Sequence, residues 1–266
     1  MSQPSDAPIG VFDSGLGGLS VLRHARAALP AEDFLYVADS GFAPYGERSA
    51  DWIRARSAVL GQFLLDQGVK ALLIACNTAT AAAAQALRER WPGLPIIGME
   101  PAVKPAAAAT KSGTVGVLAT TGTLASSRFA ALLDTFGRDV HVVTRPGSGL
   151  VEAVQRGEFD TPATRALVAS HIEPLLAEGV DVIVLGCTHY PFLRPLIEAA
   201  AGPAVQVIDT GDAVVRQLSR ALEARGLRCS GRTGRESFWS SAAHASGRAA
   251  LQRLWPPAGA IQPLPV

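Results

Sequence analysis

Cysteine and lysine are scarce in this chain, with three of each among 266 residues. Cys76, Cys187 and Cys229 are odd in number and widely spaced, which argues against a disulfide framework, and no C-x-x-C pair offers a structural zinc site. A cysteine with a task here is therefore a reactive thiol. Lys70, Lys104 and Lys111 stand in no pocket-like motif, which disfavours a Schiff-base lysine and with it pyridoxal phosphate. Neither sign of charge dominates: 24 Lys+Arg stand against 23 Asp+Glu, so the balance carries no footprint of a polyanion such as nucleic acid. No apolar run reaches the roughly 18 residues that span a bilayer. The opening MSQPSDAP lacks the basic and apolar regions of a secretory signal. With 48% hydrophobic and 18% charged residues, the composition is that of a folded chain, long enough for one large or two small domains. The expectation is a soluble cytoplasmic protein with no nucleic-acid and no membrane partner.

Apolar β-forming segments alternate with helical patterns. They read IGVFD (9–13), DFLYVAD (33–39), VKALLIAC (69–76), PIIGM (95–99), TVGVLAT (114–120), DVHVVTR (139–145), VDVIVLGC (180–187) and VQVID (205–209). Between them, stretches such as SADWIRARSAVLGQFLLDQG (49–68) place Trp52, Ile53, Val59, Leu60, Phe63 and Leu64 at helical spacing. That alternation predicts an α/β fold with parallel sheets.

The order then repeats. IGVFDSGLGGLS resembles VGVLATTGTLAS, VKALLIACNTAT resembles VDVIVLGCTHYP, and PIIGMEPAV resembles VQVIDTGDAV, at nearly equal spacing in the two copies. Parallel α/β units all share some likeness, but three matched strand ends in one order point to an internal duplication. The expected architecture is two similar lobes, each a parallel sheet flanked by helices, related by pseudo-twofold symmetry, with the active site in the cleft between them. Residues 1–98 and 210–266 form the first α/β lobe in this reading and 99–209 the second. The tail begins with a helical pattern, GDAVVRQLSRALEARG, then a strand at RESFWSS that packs back on the first lobe, and it closes on PPAGAIQPLPV as an extended end. Ligands of such sheets sit outside the carboxyl ends of the strands.

The polar residues of interest fall at those ends. DSGLGGLS (13–20) follows a strand and opens a helix, so its glycines permit a tight turn and its amides can hold an anion. A dinucleotide fingerprint is the rival reading, with Asp39 at the end of the next strand. It fails where G-x-G-x-x-G needs glycine and the chain has Ser20, and Asp13 would crowd a pyrophosphate. Cys76 is followed by Asn77, Thr78 and Thr80, and Cys187 by Thr188, His189 and Tyr190. One buried cysteine is usually inert. Two, symmetrically placed, can flank one ligand as a two-base device in which a thiolate removes a proton from carbon while a thiol returns one to the other face. His189 beside Cys187, and Asp13 beside Cys76, are candidates to supply or shuttle that proton. A metal site on Cys187 and His189 would have only two ligands, at i and i+2.

Together FDSGLGGLSVL, ADSGFAPYGERS, ACNTATA, ATTGTLAS, LGCTHYPFL and VIDTGDAV resemble the glutamate racemases of the cofactor-independent aspartate/glutamate racemase superfamily. The likeness runs from about residue 8 to residue 215, and FWSSAAHASGRAALQRL fits the family's end more loosely. The resemblance implies that Cys76 and Cys187 are the catalytic pair, each the base for one enantiomer and the acid in the reverse direction. It implies substrate contacts from Asp13 and Ser14, from Tyr45 and Gly46, from Asn77 and Thr78, and from Thr188 and His189. Thr120 and Thr123 lie in the second-lobe turn and are expected to bind a carboxylate. The P-Y-G segment departs from the family in reading ADSGFAPYG. In RPGSGLVEAVQRGE an arginine stands where members often carry cysteine before the proline, and Glu152 is the best match for the acid that follows.

The resemblance thus implies interconversion of L- and D-glutamate by proton transfer at Cα, with no cofactor and no metal. It also implies supply of D-glutamate for bacterial peptidoglycan. It admits a homodimer. The rivals are an aspartate-specific racemase and a non-catalytic anion-binding protein that kept the fold.

Overall fold

The computed structural model describes residues 5–242, 245–256 and 259–265. The first four residues of the opening segment, and Ala243 and His244 of the loosely matching tail, lie outside these. The elements in chain order are β1 (Ile9–Asp13), α1 (Leu19–Ala28), β2 (Phe34–Ala38), α2 (Ala50–Asp66), β3 (Ala71–Ile74), α3 (Asn77–Arg90) and β4 (Ile96–Ile97). There follow α4 (Val103–Ala109), β5 (Thr114–Ala119), α5 (Thr121–Leu124), α6 (Ser127–Phe136), β6 (His141–Pro146), α7 (Leu150–Arg156), α8 (Pro162–Ala177), β7 (Val182–Gly186), α9 (Arg194–Ala201) and β8 (Gln206–Ile208). The last are α10 (Gly211–Glu223), β9 (Glu236–Ser240), α11 (Ala245–Leu254) and β10 (Ile261–Pro263). Short 3₁₀ turns cover Ser40–Phe42, Tyr45–Glu47 and Tyr190–Leu193.

The chain divides into two compact units, Met1–Met99 with Gly211–Val266, and Glu100–Thr210. The first contains a six-stranded sheet of order β10-β9-β2-β1-β3-β4 and the second a four-stranded sheet of order β6-β5-β7-β8. Every strand pairing among the described residues is parallel. The order β2-β1-β3-β4 recurs, four strands later, as β6-β5-β7-β8, so the duplication seen in the sequence is a duplication of topology. The tail extends the first sheet by laying β9 beside β2. The closing segment is not simply an extended end: its Ile261–Pro263 forms a ladder with β9. A proline is tolerated there because this is an edge strand.

The strands form because their residues can be buried on both faces. In β5 and β7, Val115, Val117, Val182 and Val184 enter one core with Val103 and Phe129. The alternate residues Leu118, Ile183 and Leu185 enter another with Leu150, Ile172 and Ile197. That is the two-residue period of a strand serving two helix layers. In the first unit, Phe12, Leu72 and Ile74 pack with Leu60 and Leu64 of α2 and Ala83 and Leu87 of α3. Helix starts are set by side-chain caps: Ser49 accepts from the Trp52 amide, Ser126 from Phe129 and Thr161 from Thr164. Two of the residues of interest are themselves caps, Cys76 on α3 and Thr120 on α5.

The tail helix α10 turns Val214, Val215, Leu218 and Leu222 inward and packs on α1, as its apolar spacing requires. At the opposite, amino-terminal end of the first sheet, Lys70 and Glu32 are both fully buried and paired at 2.5 Å. Glu32 also accepts the Cys229 amide at 2.8 Å, which ties the tail loop down.

Candidate active site

In the first unit the candidates gather where β1, β2 and β3 end. Asp13 closes β1 and is fully buried. Its Oδ1 accepts the Ser14 amide at 2.7 Å and the Ser14 hydroxyl at 3.2 Å, and its Oδ2 accepts the Gly18 amide at 2.6 Å. The glycine turn therefore cradles an anion, but the anion it holds through these amides is the chain's own carboxylate. Gly18 is needed for this closeness, because a Cβ there would meet Asp13 Cβ, Ala75 Cβ and Tyr36 Oη at 2.9 Å. Tyr36 fixes the turn from below by donating to the Gly15 carbonyl at 2.9 Å.

Cys76 lies two residues beyond β3 and is buried. Its thiol donates to Ser14 Oγ at 3.6 Å, and its sulfur accepts the Ala79 amide at 3.4 Å. Burial, followed by the charge of Asp13, pushes the thiol up to about 12, and the Ala79 amide and the Ser14 hydroxyl only partly oppose this. The next residue, Asn77, is also buried, and neither its Oδ1 nor its Nδ2 has a hydrogen-bond partner among the described residues. A buried amide of that kind is costly unless a ligand completes it. Thr78 is buried beside it, whereas Thr80 is structural, accepting the Met99 amide at 3.1 Å. Tyr45 is buried in its 3₁₀ turn, where burial first and then the charge of Asp39 raise its phenol above the ordinary range, while Gly46 is half-exposed.

In the second unit the matching strand end is that of β7. Cys187 follows it directly and is buried, as are Thr188 and His189. The sulfur lies 3.8 Å from His189 Nδ1. Gly186 lets β7 run close to β5, since a Cβ there would meet Ala119 Cβ at 2.7 Å. The neighbouring strand end carries Thr120 and Thr123, whose hydroxyls are 2.9 Å apart, and Thr120 Oγ1 accepts the Thr123 amide at 3.3 Å. Tyr190 donates to the Gly147 carbonyl at 3.2 Å, and burial first, then the charges of Cys187 and Glu152, raises its phenol well above the ordinary range. Glu152 is half-buried in the first turn of α7, and its charge acts on the Tyr190 phenol.

Each unit therefore carries one buried thiol just past a central strand, with hydroxyls and amides around it. The phenols of Tyr36 and Tyr190, and Arg56, which pairs with Asp39, carry no motif in the sequence that marks them. Their signal is weak, because each acts on a main-chain or carboxylate oxygen far away in sequence.

The pattern of the Asp/Glu/Hydantoin racemase family matches residues 9–218. The chain belongs to that family of isomerases. Its relatives narrow the class. The glutamate racemase of Ectopseudomonas mendocina (strain ymp) is 61% identical over 237 residues, which is 89% of this chain and 90% of that one. The crystal structure of a glutamate racemase isoform from Bacillus anthracis has a TM-score of 0.90 to this chain at 30% identity, covering 98% of each. Escherichia coli glutamate racemase, solved in complex with L-glutamate and the activator UDP-MurNAc-ala, has a TM-score of 0.85 at 28% identity over 97% of each chain.

Proposed function

We propose that this chain interconverts L- and D-glutamate without a cofactor, with Cys76 and Cys187 as the two proton-transfer groups at Cα. The observation that carries the reading is the repeated placement of a buried thiol at the carboxyl end of an interior strand, with a polar side chain beside it at 3.6 Å (Ser14 Oγ) and 3.8 Å (His189 Nδ1). The glutamate racemases that are similar to this chain, one of them in complex with L-glutamate, support the choice of substrate.

The two thiols have different resting roles in this scheme. With its thiol held up to about 12, Cys76 enters turnover protonated and serves first as the acid. Cys187 serves as the base, its proton passing to the imidazole of His189. The base withdraws the Cα proton from one face and Cys76 delivers its own to the other, which inverts the centre. The sulfurs then hold the opposite protonation pattern, the one that accepts the other enantiomer. The scheme requires the two units to present these sulfurs to opposite faces of one carbon.

Without an electron sink, the weak acidity of Cα is the difficulty, and a turnover near 10 per second leaves a barrier of about 16 kcal/mol. Negative charge builds on the α-carboxylate, so donors placed there in advance lower the barrier. Asn77, Thr78, Thr188 and the Tyr45–Gly46 turn are assigned to substrate, with Thr120 and Thr123 at a carboxylate and Ser14 and Asp13 beside Cys76. Glu152 is assigned to the second cluster. The product D-glutamate would supply peptidoglycan synthesis in the cytoplasm.

The test is circular dichroism of L-glutamate, D-glutamate and L-aspartate incubated separately with purified protein. Decay of both glutamate signals to zero, with aspartate unchanged, is expected. Steady glutamate signals, or faster decay with aspartate, would refute the assignment.

A further inference from the structure

Behind the Tyr45–Gly46 turn lies a buried ionic anchor to which no role has yet been given. Asp39, at the end of β2, is fully buried, and its main-chain amide donates to the Asp13 carbonyl at 2.9 Å. Its carboxylate receives two parallel bonds from Arg56 of α2, Nε to Oδ2 at 2.8 Å and Nη2 to Oδ1 at 2.7 Å. The Arg56 side chain is only 11% exposed, and its guanidinium stacks on the Phe42 ring with 4.1 Å to the centroid. Oδ2 also accepts the Tyr45 hydroxyl at 2.5 Å. The Tyr45 ring meets Trp52 of α2 edge-on at 5.4 Å. The Phe42 ring also packs on Trp52 at 6.0 Å, so the segment from Asp39 to Tyr45 is bound to α2 by one carboxylate and three aromatic contacts.

We infer that Arg56 and Asp39 are positioning residues for the Tyr45–Gly46 substrate contact, the guanidinium locking the carboxylate and the carboxylate locking Tyr45 by its hydroxyl. The inference rests on the proposed glutamate racemisation. The chemistry favours this division of labour. A phenol has one proton, and here it is committed to Asp39, so the hydroxyl is an anchor for the turn rather than a donor to a substrate carboxylate. A planar fork is suited to fix both carboxylate oxygens at once, which a lysine cannot do. The anchor's hydrogen bonds join Tyr45, Asp39 and Arg56 to one another rather than to the Cys76 sulfur, so its loss should loosen substrate placement more than proton transfer.

The experiment is steady-state kinetics with glutamate on Arg56→Gln, Arg56→Lys, Tyr45→Phe and the Arg56→Gln/Tyr45→Phe double variant, with folding checked by far-UV circular dichroism. Tyr45→Phe keeps the ring on Trp52 and removes only the hydroxyl, so it tests the anchor even if Arg56→Gln fails to fold. The expected result is a KM raised about ten- to a hundredfold with kcat within about threefold of wild type. Arg56→Lys should recover part of the loss, and the double variant should be no worse than the worse single one. A folded Tyr45→Phe with unchanged KM, or single effects that simply multiply, would overturn the inference. A lowered melting temperature with unchanged KM would reduce the pair to a structural role and also overturn it. A wild-type chain that leaves glutamate unracemised removes the proposed function and this inference with it, whereas unchanged variants of a racemising wild type remove this inference alone.

Discussion

The Cys187 sulfur lies 3.8 Å from Nδ1 of His189, two positions further on, and both side chains are buried. Contact across so short a sequence interval comes from the turn that follows β7, where the Tyr190 amide donates to the Cys187 carbonyl at 3.2 Å. If the imidazole receives the thiol's proton, His189→Asn should lower kcat about a hundredfold with little change in KM. Initial rates in both directions would check this, and an unchanged kcat would deny His189 the role.

Cys76 should behave as a reluctant thiolate. In a chain carrying Cys187→Ala and Cys229→Ala, its alkylation by iodoacetamide should climb steadily through pH 9 to 10 without levelling, because burial and Asp13 hold the thiol up to about 12. Asp13→Asn removes the negative neighbour, so the thiol titrates lower and alkylation at a fixed pH of about 9 accelerates. A profile of the Cys187→Ala/Cys229→Ala chain that levels near the ordinary thiol value of 9.0 would contradict the electrostatics described.

Lys70 and Glu32 form a pair at 2.5 Å with no solvent exposure at either side chain. Replacing one member strands the other's charge in the interior, so Lys70→Met should cost about 3–5 kcal/mol of stability, read from urea unfolding. A cost below about 1 kcal/mol would mean that water reaches the carboxylate.

Asp181, at the entry to β7, predicts an acid-dependent effect. Burial pushes its carboxyl up, but the Thr110 hydroxyl at 2.5 Å and the Ser112 and Lys111 amides at 2.8 and 2.7 Å outweigh this and hold it at about 2. A carboxyl lowered on folding stabilises the folded state above its unfolded value, here 3.8, and that contribution is lost as pH falls through about 2. The stability gap between wild type and Asp181→Ala should therefore be constant from pH 7 to about 5 and shrink below about pH 4. Urea midpoints across that range would show it, and a gap that widened on acidification would contradict it.

Much of the architecture was legible because strands buried on both faces leave unbroken apolar runs, as in VIVLG at β7, whose five residues are all buried. The duplicated strand order was legible for the same reason: each run ends on a polar residue that must be placed outside the sheet. Side-chain direction was not legible. Nothing local tells that Asp13 turns back to cap its own glycine turn, or that Asp39, which entered only through the rejected dinucleotide reading, faces Arg56 on α2. Val59 fits the helical spacing of α2 yet is 40% exposed, because the apolar stripe of that helix is broader than the face it buries. The strand at Ile261–Pro263 was hidden by Pro263, which an edge position accommodates.

In the proposed mechanism two sulfurs share the proton traffic at one carbon. Its most direct test is ²H incorporation at Cα of L- and D-glutamate in ²H₂O, followed by NMR for wild type, Cys76→Ala and Cys187→Ala with folding confirmed. Wild type should deliver deuterium into the product from either enantiomer, and each single cysteine variant should lose racemisation in both directions. A folded variant of either cysteine that still converts one enantiomer into the deuterated other at near wild-type rate would contradict it.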